Sequence, residues 1–289
     1  MRTTVIGSYP LSYAQMGKDA VVESVKDQLR AGVDIVSDGQ TRYDMIEYFA
    51  RSIDGYEYSG RSVIAGKVTR GDPAEILEDL RTAMEHAPRV KGILTGPVTL
   101  VFSSDLKGYY RDYRDERLYM DTADALLDFA TAYERLGVDS IQIDEPFLSV
   151  GAPMEIAKMA VEHIASGVEL PVALHVCGRV THIFEDLLDW DVDILSHAFM
   201  GDENLSLLES KKLHESSKTL GFGCIDTKST SVEPVEGVVS LIGRALEHLD
   251  VRRLLIHPDC GLRGLPRDVA YRKLVNMVRA AERFRGQES

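Results

Sequence analysis

Eight short runs rich in Val, Ile and Leu recur along the chain, and a longer helical pattern follows each of them. They read TTVIGSYP (3–10), VDIVSDG (33–39), VKGILTGP (90–97), SIQIDEP (140–146), PVALHVCG (171–178), VDILSHAFM (192–200), LGFGCID (220–226) and RRLLIHPDCG (252–261). A strand that is apolar on both faces has to be covered on both faces, which is the condition of a parallel sheet wrapped in helices. Eight strand–helix units predict an α/β fold, a (β/α)8 TIM barrel. The 289 residues suit it, since one such barrel takes about 250. No Ser/Gly linker, low-complexity tract or solenoid-length repeat interrupts the pattern, so residues 1–289 are expected to form a single domain. RSVIAGKVTR (61–70) alternates like an extra strand between the second and third units. It predicts a small β insertion, either a hairpin over the barrel mouth or an edge addition.

The places where the runs stop being apolar carry the chemistry. At their ends stand Ser8, Asp38 with Gln40, Thr95, Asp144 with Glu145, His175 with Cys177, His197, Asp226, and Asp259 with Cys260. In a (β/α)8 barrel the C-terminal strand ends converge on one mouth, where active sites lie. His175 and Cys177, at i and i+2 of one strand, point the same way, and Cys260 approaches from the last strand. One imidazole and two thiolates form a nitrogen–sulfur set that suits Zn2+, with a fourth position open for a substrate. The competing reading makes Cys177 a small buried hydrophobe and His175 a core histidine; it explains each residue alone but not the three together. Cys224 has no partner spacing and is expected in the core.

Asp144-Glu145-Pro146 offers a carboxylate pair that could hold an ammonium group, take a proton or bind metal. The alternative is an acid capping the next turn. Gly7-Ser8-Tyr9-Pro10 is a tight turn whose backbone N–H groups and Ser8 hydroxyl could bind a carboxylate, and Gln40 adds a polar group at the end of the second run. YYRDYRDER (109–117) reads as a solvated loop.

Composition excludes several classes. A net charge of −13 argues against nucleic-acid or anionic-membrane binding, both of which need a basic surface. No run of about 18 apolar residues predicts a membrane helix. MRTTVIGSYP lacks the apolar stretch of a secretory signal. The three cysteines are too scattered for a disulfide framework, so a reduced, cytoplasmic protein is expected. No GxGxxG follows a strand, which counts against a dehydrogenase.

TTVIGSYP, DGQTRYDMIEYF, GILTGPVTL, IQIDEPFLSVG, LHVCG, GFGCIDTK and HPDCGLRGLP resemble the catalytic half of cobalamin-independent methionine synthase, and more closely its short archaeal relatives. The resemblance runs from residue 3 to about 266. It implies a catalytic zinc held by His175, Cys177 and Cys260. It also implies that Ser8 and Asp144 bind the carboxylate and amino group of homocysteine. With the reading above, Gln40 and Glu145 join the substrate-binding set, and Asp144, Asp226 and His197 are the candidate catalytic residues. The implied chemistry is methyl transfer to a thiol held as thiolate near neutral pH, where a free thiol of pKa about 8.5 stays protonated. That thiolate attacks an electrophilic methyl group in line.

The chain departs from the family pattern in four ways. The usual glutamate ligand after the sixth strand, in archaeal DHEFA, is Ala198 in Ser196-His197-Ala198-Phe199-Met200. The site then works with three protein ligands plus substrate or water, or takes His197 as a substitute, or has lost its activity. Gln40 stands where the folate-dependent enzymes have glutamate, keeping an acceptor but not the charge. Lys228 stands for the histidine implicated in protonating folate, and the chain begins at the catalytic half. The last two departures favour a methylcorrinoid donor, methylcobalamin or a corrinoid protein, because the amine leaving group of methyltetrahydrofolate needs a proton. Alternatives are zinc-dependent alkylation of another thiol such as coenzyme M, and a non-catalytic barrel that binds a small amino acid or a corrinoid protein.

Overall fold

The computed structural model describes residues 1–201 and 203–286; residues 202 and 287–289 of the expected 1–289 span lie outside them. In chain order the strands are β1 (Arg2–Thr3), β2 (Tyr56–Tyr58), β3 (Ser62–Ile64), β4 (Gly92–Thr95), β5 (Ser104–Leu106), β6 (Ile141–Asp144), β7 (Val172–His175), β8 (Ile194–Ala198), β9 (Thr219–Gly223) and β10 (Leu254–His257). Seven of them make one sheet in the order β1-β10-β9-β8-β7-β6-β4, with every pairing parallel. The sheet curls into a barrel, and residues 33–36 close it. Thr4 bridges to Ile35 and Val36 to Val90, both parallel.

The second expected strand is therefore a clasp of single bridges. Side chains have taken the backbone groups that a longer ladder would use. The Asp34 carboxylate accepts from the Thr3 N–H and hydroxyl, both at 2.8 Å. The Gln28 amide exchanges two bonds with the backbone of Ser37, at 3.0 and 2.9 Å. The other seven runs hold strands of two to five residues, each shorter than the apolar run that announced it.

The insertion is a hairpin. β2 pairs antiparallel with β3, and β5 covers the other edge of β3 in parallel. Only the first part of the 61–70 run is strand; further on, the Val68 N–H donates to the buried Tyr110 hydroxyl at 2.9 Å. The loop expected at 109–117 is solvated at Tyr109 and Tyr113, but Tyr110 is core.

The helix Glu116–Leu136 shows how the outer layer attaches. Asp115 caps its first turn, and Gly137 ends it in the left-handed region at φ 88°. Its buried stripe, Leu118, Ala125, Leu126, Phe129 and Tyr133 among others, repeats at three- and four-residue spacing. Each large side chain so buried contributes roughly 1.5–3 kcal/mol relative to exposure. Among the described residues no helix is long and apolar enough to cross a membrane.

Strand register sets the stage for the site. Asp144 is level with His175, His175 with Ser196, and Ser196 with Gly221. The barrel interior beneath that row is not purely apolar, as parallel strands led one to expect. Lys91, Gln142, Ser196 and His257 are all buried there.

Candidate metal centre

His175 ends β7, Cys177 follows two residues later, and Cys260 lies just beyond β10. The ligand-bearing atoms of these three residues all lie within 4.8 Å of one another. His175 is buried, and its Nε2 has no hydrogen-bond partner. Its Nδ1 is bonded to the Ser196 hydroxyl at 2.9 Å. Hydrogen bonding with Cys177 holds Cys260 below the usual thiol range, while the same contact and burial push Cys177 up. Both sulfurs border a cleft of about 670 Å³ whose wall also includes Ala198, Asp226, Lys228 and Asp259.

Next to the Cys260 turn three chain segments pack together, outside the lining of that cleft. A Cβ at Gly261 would fall 2.2 Å from the Ser8 Oγ, so glycine lets that hydroxyl sit against the Cys260 turn. The Leu262 N–H donates to the Ser8 carbonyl at 2.7 Å. Gln40 packs its side-chain oxygen against Gly7. It is the one non-glycine residue with positive φ among the described residues, at 44°, a conformation that costs on the order of 1–3 kcal/mol. Asp38 Oδ1, accepting from the Gln40 N–H at 3.1 Å, and Arg263, donating to the Gln40 carbonyl, hold it there. Asp144 points inward, with Gln142 Nε2 donating to it at 2.6 Å. Burial pushes its carboxyl up, opposed first by His175, then by Gln142 and Lys91.

A family model described as the catalytic domain of cobalamin-independent synthase matches residues 11–283. The chain belongs to this family. The methionine synthase of Methanothermobacter thermautotrophicus is 40% identical, with 97% of this chain and 99% of that protein covered. That of Methanocaldococcus jannaschii is 39% identical over 98% of this chain and 99% of its own length. Among solved structures, a B12-independent methionine synthase from Shewanella sp. W3-18-1, in complex with selenomethionine, superposes with a TM-score of 0.84 at 26% identity, covering 99% of this chain and 98% of that one.

For a member of the cobalamin-independent synthase family, two of the residues singled out in the sequence sit elsewhere than expected. Glu145 does not face the cleft. Its carboxylate accepts from the Val98 N–H and the Thr99 N–H, both at 2.9 Å, and from the Thr99 hydroxyl at 2.7 Å. It caps the helix Pro97–Phe102, in a cradle where a Cβ at Gly96 would come within 2.2 Å of it. The expectation that Glu145 binds substrate is corrected on this ground. The reason is strand alternation: with Asp144 inward, its neighbour must point to the helices. His197 is corrected in the same way. Ser196 and Ala198 face inward, and His197 bonds the Val176 carbonyl at 3.0 Å and sets its ring edge against Phe184 at 5.6 Å. Desolvation lowers it to about 4. It neither stands in for the missing glutamate nor reaches the cleft.

Asp226 does reach the cleft, with its N–H held by Glu233 Oε1 at 3.0 Å and its Oδ1 capping the Lys228 N–H at 2.8 Å. Cys224 is wholly buried in the core. The donor set fits a soft divalent cation. A buried imidazole nitrogen with no partner faces two sulfurs at ligand spacing, and a buried polar atom without a partner costs about 1–3 kcal/mol unless something pairs with it. Sequence reasoning missed Lys91, Gln142, Ser196 and His257 as site residues, and noted Asp259 without assigning it a role. Their signal was a polar residue inside or beside an apolar run, which requires a buried partner.

Proposed function

We propose that this chain is a zinc-dependent methyltransferase that converts the thiol of homocysteine to the thioether of methionine, as one catalytic domain in the reducing cytoplasm. The observation that carries the reading is the imidazole nitrogen without a partner, set beside two sulfurs at the wall of the cleft. His175, Cys177 and Cys260 would hold the ion. Bound zinc would keep a substrate thiol deprotonated near neutral pH. Ala198 offers no donor, so these three side chains would leave the ion open to the substrate sulfur.

The chain's own groups bind and orient the amino acid. Ser8 and the turn around it suit the carboxylate, and Asp144 suits the ammonium group. Gln40 adds an acceptor without a second charge. An ammonium beside Asp144 restores part of the interaction that burial has taken from the carboxylate. Asp226 and Asp259 line the cleft as proton acceptors, and burial pushes Asp259 up to about 7. In the transfer the substrate sulfur attacks the methyl carbon in line, and the S–C bond forms as the carbon's bond to its carrier breaks.

Lys228 at the cleft wall supports a methylcorrinoid donor, whose cobalt keeps the electron pair and needs no proton. The test is methionine formation by the purified, metal-replete protein. Methylcobalamin with homocysteine is expected to give methionine, and methyltetrahydrofolate is not. Faster transfer from the folate overturns the donor, and faster methylation of coenzyme M overturns the acceptor.

A further inference from the structure

Below the thiols, His175, Ser196 and His257 form a hydrogen-bonded chain that the three buried residues complete without help from solvent. Ser196 Oγ lies 2.9 Å from His175 Nδ1 and 2.9 Å from His257 Nε2, and His257 Nδ1 lies 2.7 Å from the Pro258 carbonyl oxygen. The direction of each bond follows from the last one. A carbonyl oxygen only accepts, so His257 Nδ1 carries the proton. His257 is buried with no carboxylate among its hydrogen-bond partners, so it stays neutral and its Nε2 is an acceptor. The Ser196 hydroxyl must then donate to His257. Its oxygen is left to accept from His175 Nδ1–H. The Nε2 of His175 consequently carries a lone pair, and it is this nitrogen that lies beside the sulfurs with no partner.

The opposite polarity is unfavourable at both ends. The Gly221 carbonyl beside His257 Nε2 is the competing acceptor. Donating to it would leave two acceptors, Nδ1 and the Pro258 oxygen, facing each other at 2.7 Å. The packing is specific to this arrangement. A Cβ at Gly221 would come within 2.9 Å of His257 Nε2 and 2.8 Å of the Ser196 Cβ, so only glycine lets the ring reach the hydroxyl. The residues are supplied by three strands, β7, β8 and β10, with a sequence separation of 61 between Ser196 and His257.

We propose that Ser196 and His257 are positioning residues, a relay that fixes His175 in its Nδ1–H tautomer and aims the free Nε2 pair at the metal position. This rests on reading the cluster as a metal site. With Ala198 contributing no ligand, the imidazole is the only nitrogen in the set, and its orientation is the part of the site the relay controls. Partners that orient a metal-binding histidine commonly affect metal affinity by about 10–100-fold.

The first test needs no variant. Long-range 1H–15N correlation spectra of the zinc-loaded protein are expected to show His175 and His257 both protonated at Nδ1. An Nε2–H tautomer at His175 overturns the proposal. The second test compares Zn2+ affinity, by competition with a chromogenic chelator, across variants checked for folding by circular dichroism. Ser196→Ala and His257→Leu are each expected to weaken binding about 10–100-fold. Ser196→Thr and His257→Gln, which keep the hydroxyl and an acceptor, are expected within roughly threefold of the parent, since the donor–acceptor order survives. Equal losses in His257→Gln and His257→Leu, or no loss in any variant, would also refute the relay. These readouts need neither homocysteine nor a methyl donor. A protein that binds zinc through this relay yet methylates no thiol sinks the functional reading alone.

Discussion

Two adjacent carboxylates at the end of β6 have opposite fates. Asp144 faces the barrel axis, near His175 and Cys260. Glu145 faces the helical layer and caps Pro97–Phe102 through three hydrogen bonds. β8 repeats the division, with Ser196 and Ala198 inward and His197 outward against Phe184. The mouth of this barrel thus has two concentric rings built from alternating residues of the same strands. The inner ring holds the thiols, the imidazole and the Asp144 carboxylate. The outer one fastens strands to helices, and charge and imidazole groups there serve stability.

If the rings are separable, variants should divide cleanly between activity and folding. The largest effect belongs to the inner ring. Cys260→Ser is expected to lower bound zinc well below one per chain and methyl transfer by at least about a thousandfold, on the order of 4 kcal/mol. Metal analysis and a methionine assay check this, and retention of a full zinc would break the assignment. Next comes Glu145→Ala, which strands two backbone N–H groups and a hydroxyl in the core. It is expected to destabilise the fold by about 2–4 kcal/mol in urea unfolding, with zinc content unchanged in the folded fraction. If it removed zinc and left stability alone, the two rings would have to be redrawn. The smallest effect is Asp144→Asn. Losing the charge proposed to face the substrate ammonium is expected to raise the KM for homocysteine about 10–100-fold, or 1.4–2.7 kcal/mol. Zinc content should hold and kcat should change less than KM.

Most of the barrel was legible because β-branched runs buried on both faces have few other homes. The second strand was over-read, since nothing in VDIVSDG says that Asp34 and Gln28 will take over its backbone partners. The thiol–imidazole trio was legible because His175 and Cys177 share a strand parity and Cys260 ends another strand. The same parity, applied to Asp144-Glu145 and to Ser196-His197-Ala198, would have sent Glu145 and His197 outward. Strand phase was the missing information, and a run polar at two neighbouring positions does not supply it. The Ser196–His257 contact was beyond reach, because it exists only once the barrel has closed and Gly221 has made room for the ring.

That closure is uneven. From β7 to β10 the ladders are continuous, and the His175 and Cys260 segments hang from them. Between β1 and β4 the cylinder is fastened by single bridges at Ile35 and Val36, by backbone bonds such as Ile35 N–H to the Thr3 carbonyl and Lys91 N–H to the Val36 carbonyl, and by side chains such as Asp34 and the Ser37 hydroxyl. Ser8 and Gln40 project from the two sides of this clasp. Local opening costs least where the fewest backbone bonds must break. The amides of Ile35, Val36 and Lys91 are therefore expected to exchange with solvent sooner than those of β7 to β10. The residues proposed to hold an amino acid's head thus stand on the seam with the fewest ladder bonds, and the sulfur ligands on the continuous ladders.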